Sequence, residues 1–236
     1  MAIAARERAY STAQRCARIL ARDREAIGVR KDHVAAANLT RIIEATLKLS
    51  NQRGFHSTTM RDLARASGLS MGGLYSYVAS KAALVSMIIG EVVATVNEVL
   101  AAPPEAMLAD PRAHLRWIIE AHVRLSEGMQ PWFVFCFMEA KAFGPSERRL
   151  ALDAEAMTER LIGEVIERGI AAGAFTISEN ELSAALIKPL LQDWYVKRAK
   201  YRKRGTSLET YIEAVTSFTE RALTASPAVG TKRRRA

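Results

Sequence analysis

Residues 57–84, STTMRDLARASGLSMGGLYSYVASKAAL, decide how the chain is read. Thr58 and Thr59 offer hydroxyls that can cap a helix, and Met60, Leu63 and Ala64 follow at helical spacing. Gly68 supplies the C-terminal stop and Leu69 packs the turn behind it. Ser70 can cap a second helix in which Leu74 and Val78, four apart, share one face, while Met71, Gly72, Gly73, Tyr75 and Tyr77 occupy the rest. Ser80 caps a third. Two short helices about a glycine turn, the second small and polar at its start, form a unit that suits DNA. In a helix-turn-helix the second helix enters the major groove with its first residues at base edges, and the first crosses the backbone.

A glycine turn between two short helices is common in helical proteins, and the residues around it carry more weight. Ile42, Ile43 and Ala45 lead into Gly54-Phe55, Thr58-Thr59, Leu63-Ala64, Gly68-Leu69-Ser70, Leu74-Tyr75-Ser76-Tyr77, Ser80-Lys81 and Leu84. From Leu39 to Leu84 this pattern resembles the N-terminal domain of TetR-family transcriptional regulators. The resemblance implies an all-α fold: a three-helix helix-turn-helix domain followed by a larger helical domain for ligand binding and dimerisation. It also implies a DNA-facing set of Thr58, Thr59, Arg61, Ser70, Met71, Gly72, Gly73, Tyr75, Tyr77 and Lys81, with Tyr75, Tyr77 and Lys81 at phosphates. Two positions depart from the family. Gly73, preceded by Gly72, stands where Thr, Ala or Ser is usual, and Met71 where a polar residue is common. The glycines weaken the helix by roughly 1 kcal/mol each relative to Ala. Base reading is therefore expected to lean on thymine methyl contact and close backbone approach.

Composition agrees. The 236 residues are 49% hydrophobic and 25% charged, ordinary for a globular protein of one or two domains. No uninterrupted apolar run reaches the ~20 residues of a membrane span. The arginine-rich N-terminus has no signal-peptide core, so a cytoplasmic location and no membrane partner are expected. Cys16 and Cys136 lie far apart without a CxxC pair, and the four histidines show no HExxH spacing, so neither a disulfide framework, a metal nor a cofactor is expected. The net charge of +9 is unevenly placed. Eight basic residues stand against four acidic in residues 1–37, six against four in 38–102, sixteen against seventeen in 103–230, and four against none in 231–236. A near-neutral body with basic extensions fits partial phosphate neutralisation on DNA.

Four regions are expected: a basic, helical N-terminal extension over 1–37, the helix-turn-helix domain over 38–85, a helical effector-binding and dimerisation domain over 86–225, and a basic disordered tail over 226–236. In the extension, Tyr10, Ala13, Ala17, Leu20 and Ile27 suggest an apolar stripe with Arg8, Arg15, Arg18 and Arg22 facing away, which reads either as an arm that meets phosphates or as a solvated helix or partly disordered leader. Further on, the sequence predicts helices over 81–100, from Pro111, over 146–172, from a Ser178–Glu181 capping box to about Arg204, and from a Thr206–Glu209 box onward. Trp132–Met138, WFVFCFM, is apolar on every side, as a segment buried all round or lining a cavity would be.

Leu186, Leu190 and Trp194 of one late helix and Tyr211, Val215 and Phe218 of the next are similar in position and character to the pair through which TetR-family members dimerise. A twofold dimer would read a palindromic operator. Trp117, Ile118, His122, Phe133, Phe137, Met157 and Leu161 are the expected lining of an effector pocket, although such stripes are more often core. The C-terminal stretch also resembles family members that respond to fatty acids or acyl-CoA thioesters, and its basic run Lys197–Arg204 suits an anionic headgroup or the helix C-terminus. The leading expectation is a repressor released from double-stranded DNA by a hydrophobic small molecule. Two alternatives stay open: an architectural DNA binder without effector, and an all-helical enzyme with an apolar pocket. No Ser-His-Asp, Cys-His or paired-carboxylate constellation supports the enzyme, since His122 with Glu139 is too little.

Overall fold

Local caps fix the helices. In the computed structural model, which describes residues 11–23, 32–177 and 180–225, Ser11, Thr59, Ser70 and Ser207 each accept a backbone N–H three residues ahead and so begin a helix. In chain order the helices are α1 (Thr12–Arg22), α2 (Asp32–Arg53), α3 (Met60–Ser67), α4 (Met71–Tyr75), α5 (Lys81–Leu100), α6 (Glu105–Leu108), α7 (Pro111–Gly128), α8 (Gln130–Met138), α9 (Pro145–Ala171), α10 (Asn180–Val196), α11 (Arg198–Lys203) and α12 (Leu208–Thr224). A 3-10 turn at Ala140–Ala142 follows α8, and no strand occurs among the described residues. The all-α expectation holds.

Two compact units emerge. The first comprises residues 1–99 and 124–155, the second residues 100–123 and 156–236. In the first, Leu39, Ile42, Ile43, Leu63, Leu74, Val78, Leu84 and Ile88 are fully buried and fasten α2 to α5 around one core. Phe135 of α8 joins that core, its ring meeting Phe55 edge-on at 5.2 Å and Phe143 at 5.7 Å. α8 is not buried all round, however. Trp132, Phe133 and Phe135 are buried while Phe137 and Met138 are exposed. By length and composition α5 could cross a membrane, but more than half of it is buried inside the protein and it carries the buried Glu91.

The N-terminal extension turns the opposite face inward from the one expected. Arg15, Cys16 and Ile19 are buried, and Ala13 and Ala17 are exposed. The reason is Glu91 on α5: Arg18 Nε lies 3.3 Å and Arg22 Nη1 3.6 Å from its carboxylate, and Arg18 Nη1 also reaches Glu98 at 2.7 Å. Burial pushes the Glu91 carboxyl up in pKa and the arginines pull against that shift. Arg18 and Arg22 are therefore drawn from the rim of α1 onto a buried carboxylate of α5. Arg8, Tyr10, Ile27 and the tail 226–236 lie outside the described residues.

Two other boundaries shift. The helix from 180 breaks at Lys197 and restarts as α11, because Asp193 gathers Lys197 at 2.8 Å, Lys200 at 2.7 Å and the Tyr201 hydroxyl around its carboxylate. The cap of α12 is Ser207, accepting from the Thr210 N–H at 3.1 Å, one residue beyond the expected Thr206. Ser178, the other expected cap, lies outside the described residues.

Candidate nucleic-acid interface

Helix α3 opens on a reciprocal capping box. The Thr59 hydroxyl oxygen accepts from the Asp62 N–H at 3.1 Å, and an Asp62 carboxylate oxygen accepts from the Thr59 N–H at 3.0 Å, the Thr59 hydroxyl at 2.7 Å and Arg53 at 2.8 Å. Those hydrogen bonds, Thr59 foremost, hold the Asp62 carboxyl down at about 2. Thr58 has another part. It is buried, and its hydroxyl donates to the Gly54 carbonyl at 3.1 Å, closing the loop ahead of α3. Arg61 projects to solvent from the first turn.

The turn follows. Gly68 takes φ +67°, ψ 30°, a left-handed conformation open to glycine at no steric cost, and the Leu69 N–H returns to the Ala64 carbonyl at 2.9 Å. Arg41 of α2 donates to the Gly68 carbonyl at 3.2 Å and to Asn38 Oδ1 at 3.4 Å, and Asn38 Nδ2 donates to the Tyr77 hydroxyl at 3.0 Å. This chain of contacts spans both ends of α4. A short helix with two glycines has little stability of its own, so its position depends on such brackets. Asn38 and Arg41 were not among the expected site residues. Their spacing of three along α2 placed them on one face, but only the fold shows that the face meets the turn.

On α4, Ser70 accepts from the Gly73 N–H at 3.0 Å, and Leu74 is buried as the anchor. Ser70, Gly72 and Tyr75 are exposed, with Met71 and Gly73 half-buried beside them. A Cβ added at Gly72 would meet nothing within 4 Å, whereas at Gly73 it would lie 3.1 Å from the Ser70 hydroxyl. The recognition helix thus presents a surface almost bare of side chains at its start. Tyr77 corrects the expectation: it is 5% exposed, and its ring belongs to the core of the unit. Lys81 is half-buried, its ammonium donating to the Phe55 carbonyl at 2.8 Å and the His56 carbonyl at 3.3 Å, over the Phe55 ring at 4.4 Å. Burial lowers its pKa. Beside the turn, Arg41, Lys48 and Arg65 line a groove of about 590 Å³ together with Glu44, which leaves its charged lining positive by two.

The other expected sets divide. Phe133 and Phe137 belong to the first unit; Trp117, Ile118, His122, Met157 and Leu161 belong to the second. Within the second, Trp117, Ile118 and His122 are buried and Met157 and Leu161 half-buried. Among the expected dimer residues, Leu186 is 63% and Phe218 58% exposed, with Leu190 half-buried. Trp194, Tyr211 and Val215 are instead intrachain core. Trp194 packs on Tyr211 at 4.8 Å and Tyr201 at 5.4 Å, and the Tyr211 hydroxyl donates to the Leu190 carbonyl at 2.6 Å. Bulky aromatics fill a helical joint efficiently, which is why they turned inward here. The basic run is partly engaged as well: Lys197 and Lys200 hold Asp193, and Arg198 stacks on Trp194 at 4.3 Å.

Comparison with known proteins agrees with this geometry. Residues 42–88 match the model described as bacterial regulatory proteins, tetR family, and residues 108–196 match the model described as tetracyclin repressor-like, C-terminal domain. The chain is 27% identical over 173 residues to the HTH-type transcriptional regulator HbdR of Aromatoleum sp. (strain CIB), covering 73% of this chain and 74% of that protein. Among solved structures it is similar to the TetR family regulator PfmR of Thermus thermophilus, with TM-score 0.61, 25% identity, and 78% and 97% of the two chains covered. It also shares the fold of the regulator FadR of Bacillus subtilis, solved in complex with stearoyl-CoA, with TM-score 0.57, 15% identity, and 80% and 98% covered.

Proposed function

The chain belongs to the TetR family of transcriptional regulators, and from that membership we propose that it is a homodimeric repressor that leaves a palindromic operator when a hydrophobic effector binds. The observation that carries the reading is the exposed start of α4, Ser70 to Tyr75, held by the Ser70 cap and the Asn38–Arg41 bracket. A helix that buries Leu74 and leaves its first turn bare suits insertion into a major groove. Phosphate positioning falls to Thr59, Arg61, Tyr75 and Lys81, and the groove residues Arg41, Lys48 and Arg65 join them. As an operator binder, the protein acts in the cytoplasm.

Dimerisation is assigned to the exposed apolar side chains Leu182, Leu186 and Phe218 of α10 and α12, with Leu190 beside them. Charged side chains would ordinarily occupy such positions on a monomer. For the effector, the second unit is the seat, and long-chain acyl compounds, free or as CoA thioesters, are the class to screen first. The shared fold with a stearoyl-CoA complex supports that choice. Release requires that the effector bind one arrangement of the dimer better than the other, since equal affinity shifts nothing.

The test is selection of bound sequences from a random duplex pool, followed by titration of acyl compounds against the selected site. A palindromic consensus released by one of them supports the whole reading. An asymmetric consensus refutes the twofold operator, and binding that no acyl compound reverses refutes the effector class.

A further inference from the structure

Asn38 and Arg41 stand three residues apart on α2 and share one of its faces. Arg41 Nη1 donates to Asn38 Oδ1 at 3.4 Å and Nη2 to the Gly68 carbonyl at 3.2 Å, while Asn38 Nδ2 donates to the Tyr77 hydroxyl at 3.0 Å. Gly68 comes two residues before the Ser70 cap of α4, and Tyr77 two residues after its last residue, Tyr75. One face of α2 therefore grips the recognition helix at entry and at exit. Five residues long with two glycines, α4 has little of its own with which to resist a tilt.

Gly68 answers to two demands. Its φ of +67° lies in the left-handed region, and a Cβ there would collide with Nη2 of Arg41. Asparagine meets the first demand, because its short polar side chain visits that region. It fails the second, and the end of the arginine, being flexible, would give way before the backbone does. At the other end the Tyr77 ring is core, 5% exposed, and its hydroxyl reaches Asn38. Each grip can thus be released by one uncharged substitution at a residue to which no DNA contact is assigned.

We infer that Asn38 and Arg41 set the base preference of α4 without touching a base, as positioning residues that fix the angle at which its first turn is presented. The inference rests on reading α4 as the base-reading helix. Contacts to base edges are directional, and a binding constellation must be held within about 0.5 Å and 10–20° to be productive. Phosphate attraction is independent of sequence and survives a small tilt. A loosened α4 therefore loses discrimination before it loses DNA.

The test uses the full-length protein with two duplexes of equal length and composition, the one recovered by the random-pool selection and a scrambled one, in anisotropy titrations at several salt concentrations. In Gly68→Asn and in Tyr77→Phe the ratio of the two dissociation constants should fall about three- to tenfold, what one hydrogen bond contributes. Affinity for the scrambled duplex and its salt slope should stay those of the parent. Thermal unfolding of both variants should stay within about 5 °C of it. Gly68→Asn combined with Arg41→Ala should lower the ratio no further than Gly68→Asn alone, since the guanidinium has already left its seat. A ratio preserved in either folded variant, or weakening that is equal on both duplexes, overturns the inference and leaves α4 as the reading helix. So does a further fall in the double variant. Should Gly68→Asn not fold, Tyr77→Phe decides alone. A wild type that does not distinguish the duplexes overturns the reading of α4 and the inference with it.

Discussion

At Gly72 the surface of α4 is open, and that openness separates helix stability from DNA reading. Gly72→Ala adds a methyl that meets nothing and removes backbone freedom, so the unfolding free energy should rise by about 0.5–1 kcal/mol. Operator affinity should nevertheless fall, because on the proposed reading the methyl stands where the backbone approaches the bases. Denaturant titration with fluorescence anisotropy on labelled operator checks both, and an unchanged Kd would show that α4 keeps its distance at this point. Lys81 is tested by Lys81→Met. Two carbonyls of the loop before α3 lose their charged donor, which should lower stability by about 1–3 kcal/mol. The slope of log K against log salt should also fall by about one if the ammonium reaches a phosphate as well; an unchanged slope assigns it to the loop alone. Ser70 and Ser80 were legible as caps because each bonds a backbone N–H three residues on, a distance the sequence displays. Tyr77 was not. Whether its ring turns outward depends on Asn38, which lies in a different helix.

Among elements, α1 departs most from its sequence pattern. Periodicity finds the helix, and the capping box of Ser11 and Gln14 fixes its start, but the buried face is chosen by Glu91. A helix built largely of alanine and arginine has too little apolar contrast to choose its own inner face, so a single buried carboxylate decides. The Glu91 pKa is raised in the fold, so its contribution to stability is full below the ordinary glutamate value and is withdrawn as pH rises through the folded value. Glu91→Gln removes the desolvation penalty along with the ion pairs, so global stability should change by less than about 1 kcal/mol. Its effect should appear locally, as faster amide exchange and proteolysis across residues 12–22. A loss of several kcal/mol would instead mean that the arginines contribute more than burial takes away. The break at Lys197 was likewise invisible in the pattern, because Asp193 gathers donors from the next turns only once the chain bends there.

For the molecule as a whole, the basic groups are not all turned to DNA, since Arg18 and Arg22 pair with Glu91 and Glu98, and Lys197 and Lys200 share the single carboxylate of Asp193. On the proposed reading, dimerisation matters more than raw charge. Leu186→Glu with Phe218→Glu places two carboxylates on the exposed apolar face, and sedimentation should find a folded monomer whose operator affinity has dropped by at least a hundredfold (roughly 3 kcal/mol). A dimer that survives both changes places the interface elsewhere. The order of domains was legible from the dense pattern over residues 39–84, but the interleaving of residues 124–155 with the DNA-reading half was not, because helical stripes do not name their partners. That interleaving bears on how the protein is made. Translation delivers Phe55 several seconds before Phe135, at about 5–20 residues per second, so the edge-on pair that completes the first unit cannot form until more than half the chain has left the ribosome. A message cut short after α5 should therefore yield a product that neither folds nor occupies the operator. Truncation alleles of this regulator are expected to be silent losses rather than dominant inhibitors, which co-expression of residues 1–105 with the full chain in a reporter strain would reveal.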